Sequence, residues 1–450
     1  MLHGCTPWPE EFVDRYWLAG HWRGVTLDGV LRDAAREHGP RTALVQGGTR
    51  LTYAALNRRV DRVAAGFRLR GLGPGQRVVV QLPDVPEYVT TVFALLRVGA
   101  VPVPCPVDAR APELSRLVEA AEAVGYVGPS AYGGHDHAAA VADVAARRPF
   151  LRRVFTYEPP NAPSSYGGLR ADAAGCHYFP LSSVDAPVEP PPSHASSEVA
   201  FLLPSSAGSE GDAGAGPLLV PRTHNDYAYQ ARAAAGAVAL GPDDVYLAAS
   251  PLGPGAALGG PGIVGTFAVG GTVVLVDGDA GACLRAVEEE RVTVASMAPA
   301  TGRAWLEALA GGGAAVGSLR LVQVEGAPFD GSVGERIAAG FGCRVQSVWA
   351  PVTGPVVLTE PGDAPSAGRG RPLSPDDEVR VADAEGGAVE DGARGELLVR
   401  GPYTPRGHYR APEHDARAFT ADGFLRTGMS ARRAADGALT LLGRHAEDLG

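Results

Sequence analysis

A glutamate closing an apolar strand is the side chain of this sequence best placed to move a proton. Leu319-Arg320-Leu321-Val322-Gln323-Val324 reads as a buried strand, and Glu325-Gly326-Ala327 follows at its carboxyl end. Ligand sites of open α/β sheets lie at the carboxyl ends of strands. In a largely apolar pocket there, desolvation raises the pKa of a carboxyl group and makes it a general acid or base. The residues alone leave two placements open: into such a pocket, or outward against an arginine.

Two other stretches invite chemistry. Ser206-Ala207-Gly208-Ser209-Glu210-Gly211-Asp212-Ala213-Gly214-Ala215-Gly216-Pro217-Leu218 is rich in glycine, which lets backbone N–H groups approach phosphates. Glu210 and Asp212 oppose that use, because like charges at phosphate-site distances cost several kcal/mol. The loop therefore reads as a glycine-rich surface loop. Gly134-His135-Asp136-His137 has a metal-like composition, but no further ligands accompany it, so no metal is expected. The sequence has no lysine, and all 40 of its basic residues are arginine. Arginine does not replace the compact, tunable lysine ammonium conservatively. A composition rich in Ala, Gly, Pro and Arg explains missing surface lysines; it does not explain missing catalytic ones.

The elements that must position these residues alternate between helix and strand. Leu27 to His38 and Tyr53 to Leu69 have helical spacing, with a strand at Thr42 to Val45 between them. Arg77 to Leu82 is a continuous apolar run typical of a parallel strand; a helix from Pro86 to Val98 and a short strand at 100–103 follow. The alternation predicts βαβ units and mostly parallel sheets. The Pro- and Ser-rich stretch 158–198 reads as a surface excursion. The pattern restarts at Val199, with a helix at Asn225–Val238, strands at Val245–Ala249 and Thr272–Val276, and a helix at Ala280–Glu290. From 356 the chain turns to short strands broken by Gly and Pro. The expected fold class is α/β: two α/β subdomains over 1–355, then a small β-rich, barrel-like subdomain over 356–442.

Bulk properties exclude several function classes. At 45% hydrophobic and 20% charged the chain has ample core material. A net charge of −10 with no basic run argues against nucleic acid as a partner. No run approaches the roughly 18 apolar residues of a membrane span. Met1-Leu2-His3-Gly4-Cys5 lacks the regions of a signal peptide, and five scattered cysteines suggest reduced thiols, so a cytoplasmic location is expected.

Several segments together resemble the adenylate-forming superfamily, most closely its aryl-acid–AMP ligases that activate 2,3-dihydroxybenzoate or salicylate. These are Trp8-Pro9-Glu10-Glu11-Phe12, Gly20-His21-Trp22-Arg23-Gly24, Leu51-Thr52-Tyr53-Ala54-Ala55-Leu56-Asn57, Pro221-Arg222-Thr223-His224-Asn225-Asp226-Tyr227, Gly395-Glu396-Leu397-Leu398 and Arg426-Thr427-Gly428. The resemblance implies the superfamily's N-terminal body, with residues 443–450 as a hinge remnant and no C-terminal domain. Arg222 and His224 fall in a segment where packing is expected rather than catalysis.

Against that resemblance the chemistry departs. Leu218 stands for the phosphate-loop lysine, Thr353 for the magnesium-binding glutamate, Met429 for the ribose aspartate and Ala446 for the hinge lysine. Asp377 and Arg444 read as relics of nucleotide binding, and no cofactor is expected. The aryl pocket's His-Asn-Phe becomes Pro254-Gly255-Ala256, which implies an enlarged cavity. Its other expected walls are Glu325, Gly326, Trp349 and Thr353. Three functions are compatible with this pattern. One is a repurposed, ATP-independent enzyme using Glu325 on an aryl or acyl intermediate of secondary metabolism, free or tethered to a carrier protein. The second is a non-catalytic pseudoenzyme that binds a carrier protein or synthetase. The third is an active aryl-acid ligase truncated at its hinge.

Overall fold

The computed structural model describes residues 2–159, 170–171, 175–190, 192–205, 216–249, 252, 256–312, 315–326, 331–359 and 369–444. One sheet has a parallel centre, in the order Thr42–Gln46, Thr272–Leu275, Val245–Ala248, Val294–Met297, Leu321–Glu325 and Arg344–Trp349. Beyond Trp349 the ladder turns antiparallel at Val357–Leu358. It continues through Arg369–Pro372, Leu439–Arg444, Leu425–Arg433, Arg394–Arg400 and Glu378–Ala382. The second sheet runs Val101–Pro104, Arg77–Val80, Gly125–Pro129, Arg153–Tyr157 and His177–Pro180, all parallel, with Arg170–Ala171 antiparallel at its edge. The class is α/β, as expected. The sheets draw on interleaved stretches: Thr42–Gln46 pairs with Thr272–Leu275, far along the chain.

Local chemistry sets the helix starts. Thr52 Oγ1 accepts the N–H of Ala55 at 3.2 Å at the head of Tyr53–Leu69, and Asp279 Oδ1 accepts that of Ala282 at 2.8 Å at the head of Ala280–Glu290. Asp136 caps His137–Arg147 through the N–H of Ala139 at 2.8 Å, which gives the His135–His137 stretch a structural role. The surface excursion expected over 158–198 needs correction. His177–Pro180 is a sheet strand paired with Arg153–Tyr157, and the His194 side chain is only 4% exposed where it meets Asp28, a long-range ionic contact that a proline-rich composition does not reveal.

Strand alternation divides the core. Val322 and Val324 pack with Trp305 and Ile337 on one face of the first sheet. Leu321, Tyr246 and Val294 pack on the other face, with the helices Leu27–Glu37, Tyr53–Leu69, Pro86–Arg97 and His224–Ala237 that fill the space between the sheets.

Two buried charge clusters lock that interior layer. Asp28, fully buried, meets Arg32 at 2.7 Å, His194 Nε2 at 3.2 Å and Arg97 at 3.6 Å; Arg97 also meets Asp61 at 2.7 Å. Burial pushes the Asp28 carboxyl up, but His194 and Arg32 outweigh it and hold the group well below the carboxylate range. The Asp28 contact raises His194, against its burial. In the second cluster Arg222 Nε donates to Asp226 Oδ1 at 2.7 Å, Nη2 to Gln230 Oε1 at 2.7 Å, and Nη1 to the Val352 carbonyl at 3.1 Å.

Removing Arg222 strands Asp226 in the interior, so Arg222→Leu is expected to lower unfolding free energy by roughly 3–5 kcal/mol in chemical denaturation. His194 has a raised folded pKa. Its contribution is therefore complete below the unfolded value of about 6.5 and is lost as pH rises through the folded value. The stability gap between the natural protein and His194→Gln should be widest near pH 6 and close with rising pH; a gap that does not change with pH excludes this linkage.

Candidate functional site

The strands Leu321–Glu325 and Arg344–Trp349 end together, with Glu325 opposite Val348. The Gly326 N–H donates to the Val348 carbonyl at 2.9 Å. Gly326 has φ +136°, a conformation that favours glycine, and there the chain leaves the sheet. Trp349 ends the neighbouring strand, and Thr353 follows in a turn whose Val352 carbonyl is held by Arg222. Glu325, Gly326, Trp349 and Thr353 thus meet at one end of the sheet, although they are spread over 29 positions of the chain. Pro254 and Gly255 lie outside the described residues, as do Glu210, Asp212 and Ala446. Ala256 opens the short helix Ala256–Gly259, and its side chain is also outside the description.

Alternation puts Glu325 on the same face as Gln323, toward the interior layer. One carboxylate oxygen is buried. A polar row crosses that face beneath it. Ser296 Oγ donates to Gln323 Oε1 at 3.1 Å, Gln323 Nε2 to Gln346 Oε1 at 2.9 Å, and Gln346 Nε2 to the Thr359 carbonyl at 3.0 Å. Ser296, Gln323 and Gln346 are all buried, and each is satisfied along one direction of the row. Burial, with the Glu325 charge as second cause, holds the Tyr246 hydroxyl well above its ordinary pKa, so it stays a neutral phenol.

Of the residues that the resemblance sets at nucleotide positions, Met429 and Leu218 are apolar, and Asp377 is bonded within the fold. Met429 is buried and packs in one cluster with Trp349, Val357, Leu397 and Val399. Thr353 Oγ1 reaches the neighbouring Gly354 carbonyl at 3.4 Å. Leu218 opens the strand Leu218–Thr223 and lines a cavity of about 470 Å³ with Arg116 and Arg410, the latter paired with Glu122. Asp377 accepts the Tyr403 hydroxyl and the Ser374 N–H; burial, opposed by the Tyr403 contact, pushes its carboxyl up to about 7. These bonds brace the turn beneath the N-terminal segment. His224 Nδ1 accepts the Leu27 N–H at 3.0 Å, and burial drives its pKa down to about 3, so it serves packing as a neutral ring.

Sequence reasoning missed Asp84. Its Oδ1 accepts the N–H of Leu252, in the segment leading to the expected aryl pocket, at 2.8 Å. Burial pushes this carboxyl up to about 6, the Leu252 N–H opposes, and repulsion from Asp277 adds. The available signal was its place in Leu82-Pro83-Asp84-Val85-Pro86, a turn at the carboxyl end of a parallel strand.

Comparison with known proteins places this geometry. A family described as AMP-binding enzyme matches residues 31–409. The chain is 41% identical to a 2-hydroxy-7-methoxy-5-methyl-1-naphthoate–CoA ligase of Streptomyces carzinostaticus, over 98% of this chain and 79% of that protein. It is 37% identical to a 2,3-dihydroxybenzoate-AMP ligase of Bacillus subtilis, over 99% of this chain and 79% of that protein. Apo MbtA of Mycobacterium smegmatis superposes with a TM-score of 0.86 at 36% identity, covering 98% of this chain and 80% of that one. The α/β body, with its parallel sheets continued by antiparallel strands, is therefore that of an adenylate-forming enzyme, and the chain belongs to the AMP-binding enzyme family alongside aryl-acid–AMP ligases.

Proposed function

We propose that this protein binds an aryl acyl group larger than salicylate at the Glu325–Trp349 strand ends and acts on it without adenylation by ATP. Met429 carries the proposal: the expected place of a ribose carboxylate is filled by a thioether buried against Trp349. An apolar side chain offers no acceptor for a ribose hydroxyl, and Thr353 offers a hard divalent cation no carboxylate. Leu218 and the lysine-free composition weigh in the same direction.

A bicyclic aryl group is the substrate class favoured. Pro254-Gly255-Ala256 leaves more room than His-Asn-Phe, and the relative from Streptomyces carzinostaticus is named for a naphthoate. In this reading Glu325 is the proton-transferring group, set on the inward face of its strand near the neutral Tyr246 hydroxyl. The substrate arrives free or tethered to a carrier protein. Loss of both expected carboxylates also favours a second reading, a binding-only pseudoenzyme.

ATP–pyrophosphate exchange across salicylate, 2,3-dihydroxybenzoate and naphthoates is expected to stay at background, and robust exchange with any of them would falsify the proposal. In calorimetry a hydroxynaphthoate should bind at least about tenfold more tightly than salicylate. Where wild-type turnover of an aroyl thioester is found, Glu325→Gln should abolish it while leaving affinity within about threefold. Tight binding with no turnover by the natural protein selects the pseudoenzyme.

A further inference from the structure

A cavity of about 350 Å³ shares none of its lining residues with the strand ends of Glu325 and Trp349. It opens between the helices Tyr53–Leu69 and Pro86–Arg97 and the end of the strand Arg153–Tyr157. Val63, Pro86, Leu181 and the ring of Tyr157 give it apolar walls. Its polar groups are of both kinds. Arg59 and Glu87 pair at 2.7 Å on one wall, Glu158 stands on another, and Thr91 supplies a hydroxyl, while that of Thr90 donates to the Pro86 carbonyl at 2.8 Å. Burial, with Glu87 and Asp277 adding, raises the Tyr157 phenol to about 12, so it remains a donor at neutral pH.

Size and charge select a ligand class. A volume of this order suits a substituted aromatic ring, and mostly apolar cavities with a few convergent polar groups are the usual small-molecule sites. Arg59 brings one positive charge to the lining, while Glu87 and Glu158 bring two negative ones. The partial positive charge at the N-terminus of Pro86–Arg97 offsets part of the remainder. Among the described lining residues the one cation, Arg59, is already paired with Glu87, which disfavours a free carboxylate or phosphate. An uncharged amide finds both acceptors and donors. A second cavity of about 380 Å³ shares Arg59, Val63, Leu181 and Ser182 with the first and extends to the Arg62–Asp185 pair, leaving room for a substituent on the ring.

The cavity is also wired to the expected pocket segment. Gln46 lines it, and its Nε2 donates to the Asp84 carbonyl at 2.9 Å. The Asp84 carboxylate in turn holds the Leu252 N–H. From these observations we infer that the cavity is a second ligand site, for an uncharged aryl amide, whose occupancy is transmitted through Gln46 and Asp84 to the segment at Leu252.

Salicylamide and salicylate are matched probes, one neutral and one anionic. By ligand-observed NMR with the full chain, salicylamide should bind saturably. Thr49→Trp and Ser182→Trp, at the exposed rim of the cavity, should each weaken it at least about tenfold. Salicylate binding should be indifferent to both rim substitutions. In the natural protein, salicylamide should shift the Leu252 amide resonance, and in Gln46→Ala it should bind without that shift. No saturable binding, binding indifferent to both rim variants, or salicylate competing at the rim site would overturn the site. A Leu252 shift that persists in Gln46→Ala would overturn the coupling.

Discussion

The buried guanidinium of Arg222 is the interaction on which the rest of the arrangement depends. It sits where the strand Leu218–Thr223 hands over to the helix His224–Ala237, and it binds a carboxylate, an amide and a backbone carbonyl at once. The carbonyl belongs to Val352, in the turn that carries Thr353. A single side chain therefore fixes the distance between the central helix of the interior layer and the strand ends of the first sheet. Arginine suits this task because its planar fork presents several donors in fixed directions and its charge does not titrate away. Asp226 is fully engaged in return, also accepting the Thr223 N–H and hydroxyl at 2.6 Å each. A charge this deep is tolerable only because the geometry leaves neither partner unsatisfied.

The polar row from Ser296 to Thr359 solves a related problem. A parallel sheet buried on both faces is normally aliphatic throughout. Here two glutamines and a serine replace aliphatic residues on neighbouring strands, and they pay for their burial only by bonding to one another in register. That requirement fixes strand order and register where Glu325 emerges. The carboxylate is thereby carried at the end of a strand whose register is set by paired side chains.

Residues that the resemblance would set toward a nucleotide are engaged within the fold. Met429 packs with Trp349, which adds apolar burial to the strand Leu425–Arg433. Asp377 keeps its carboxyl, but spends it on Tyr403 and Ser374. Groups expected to face a nucleotide are absorbed into the fold. Asp84 runs the other way: a turn residue without an expected role is placed between an interior cavity and the segment at Leu252.

The sequence by itself determined the local elements and the family. Tyr53–Leu69 and Ala280–Glu290 were legible to the residue because helical spacing and a capping side chain act over a few positions, and the α/β class followed from their alternation. It also determined which residue types occupy the expected nucleotide positions, since identity needs no coordinates. It left open the face on which Glu325 lies, because that depends on the register between Leu321–Glu325 and Arg344–Trp349. It could not show that Thr42–Gln46 joins the parallel strands of residues 245–349, or that His194 leaves a proline-rich stretch to meet Asp28. Those are pairings between distant parts of the chain. Local pattern carries no record of them, and only the packed structure, by demanding a partner for each buried charge and each strand edge, decides which residues meet.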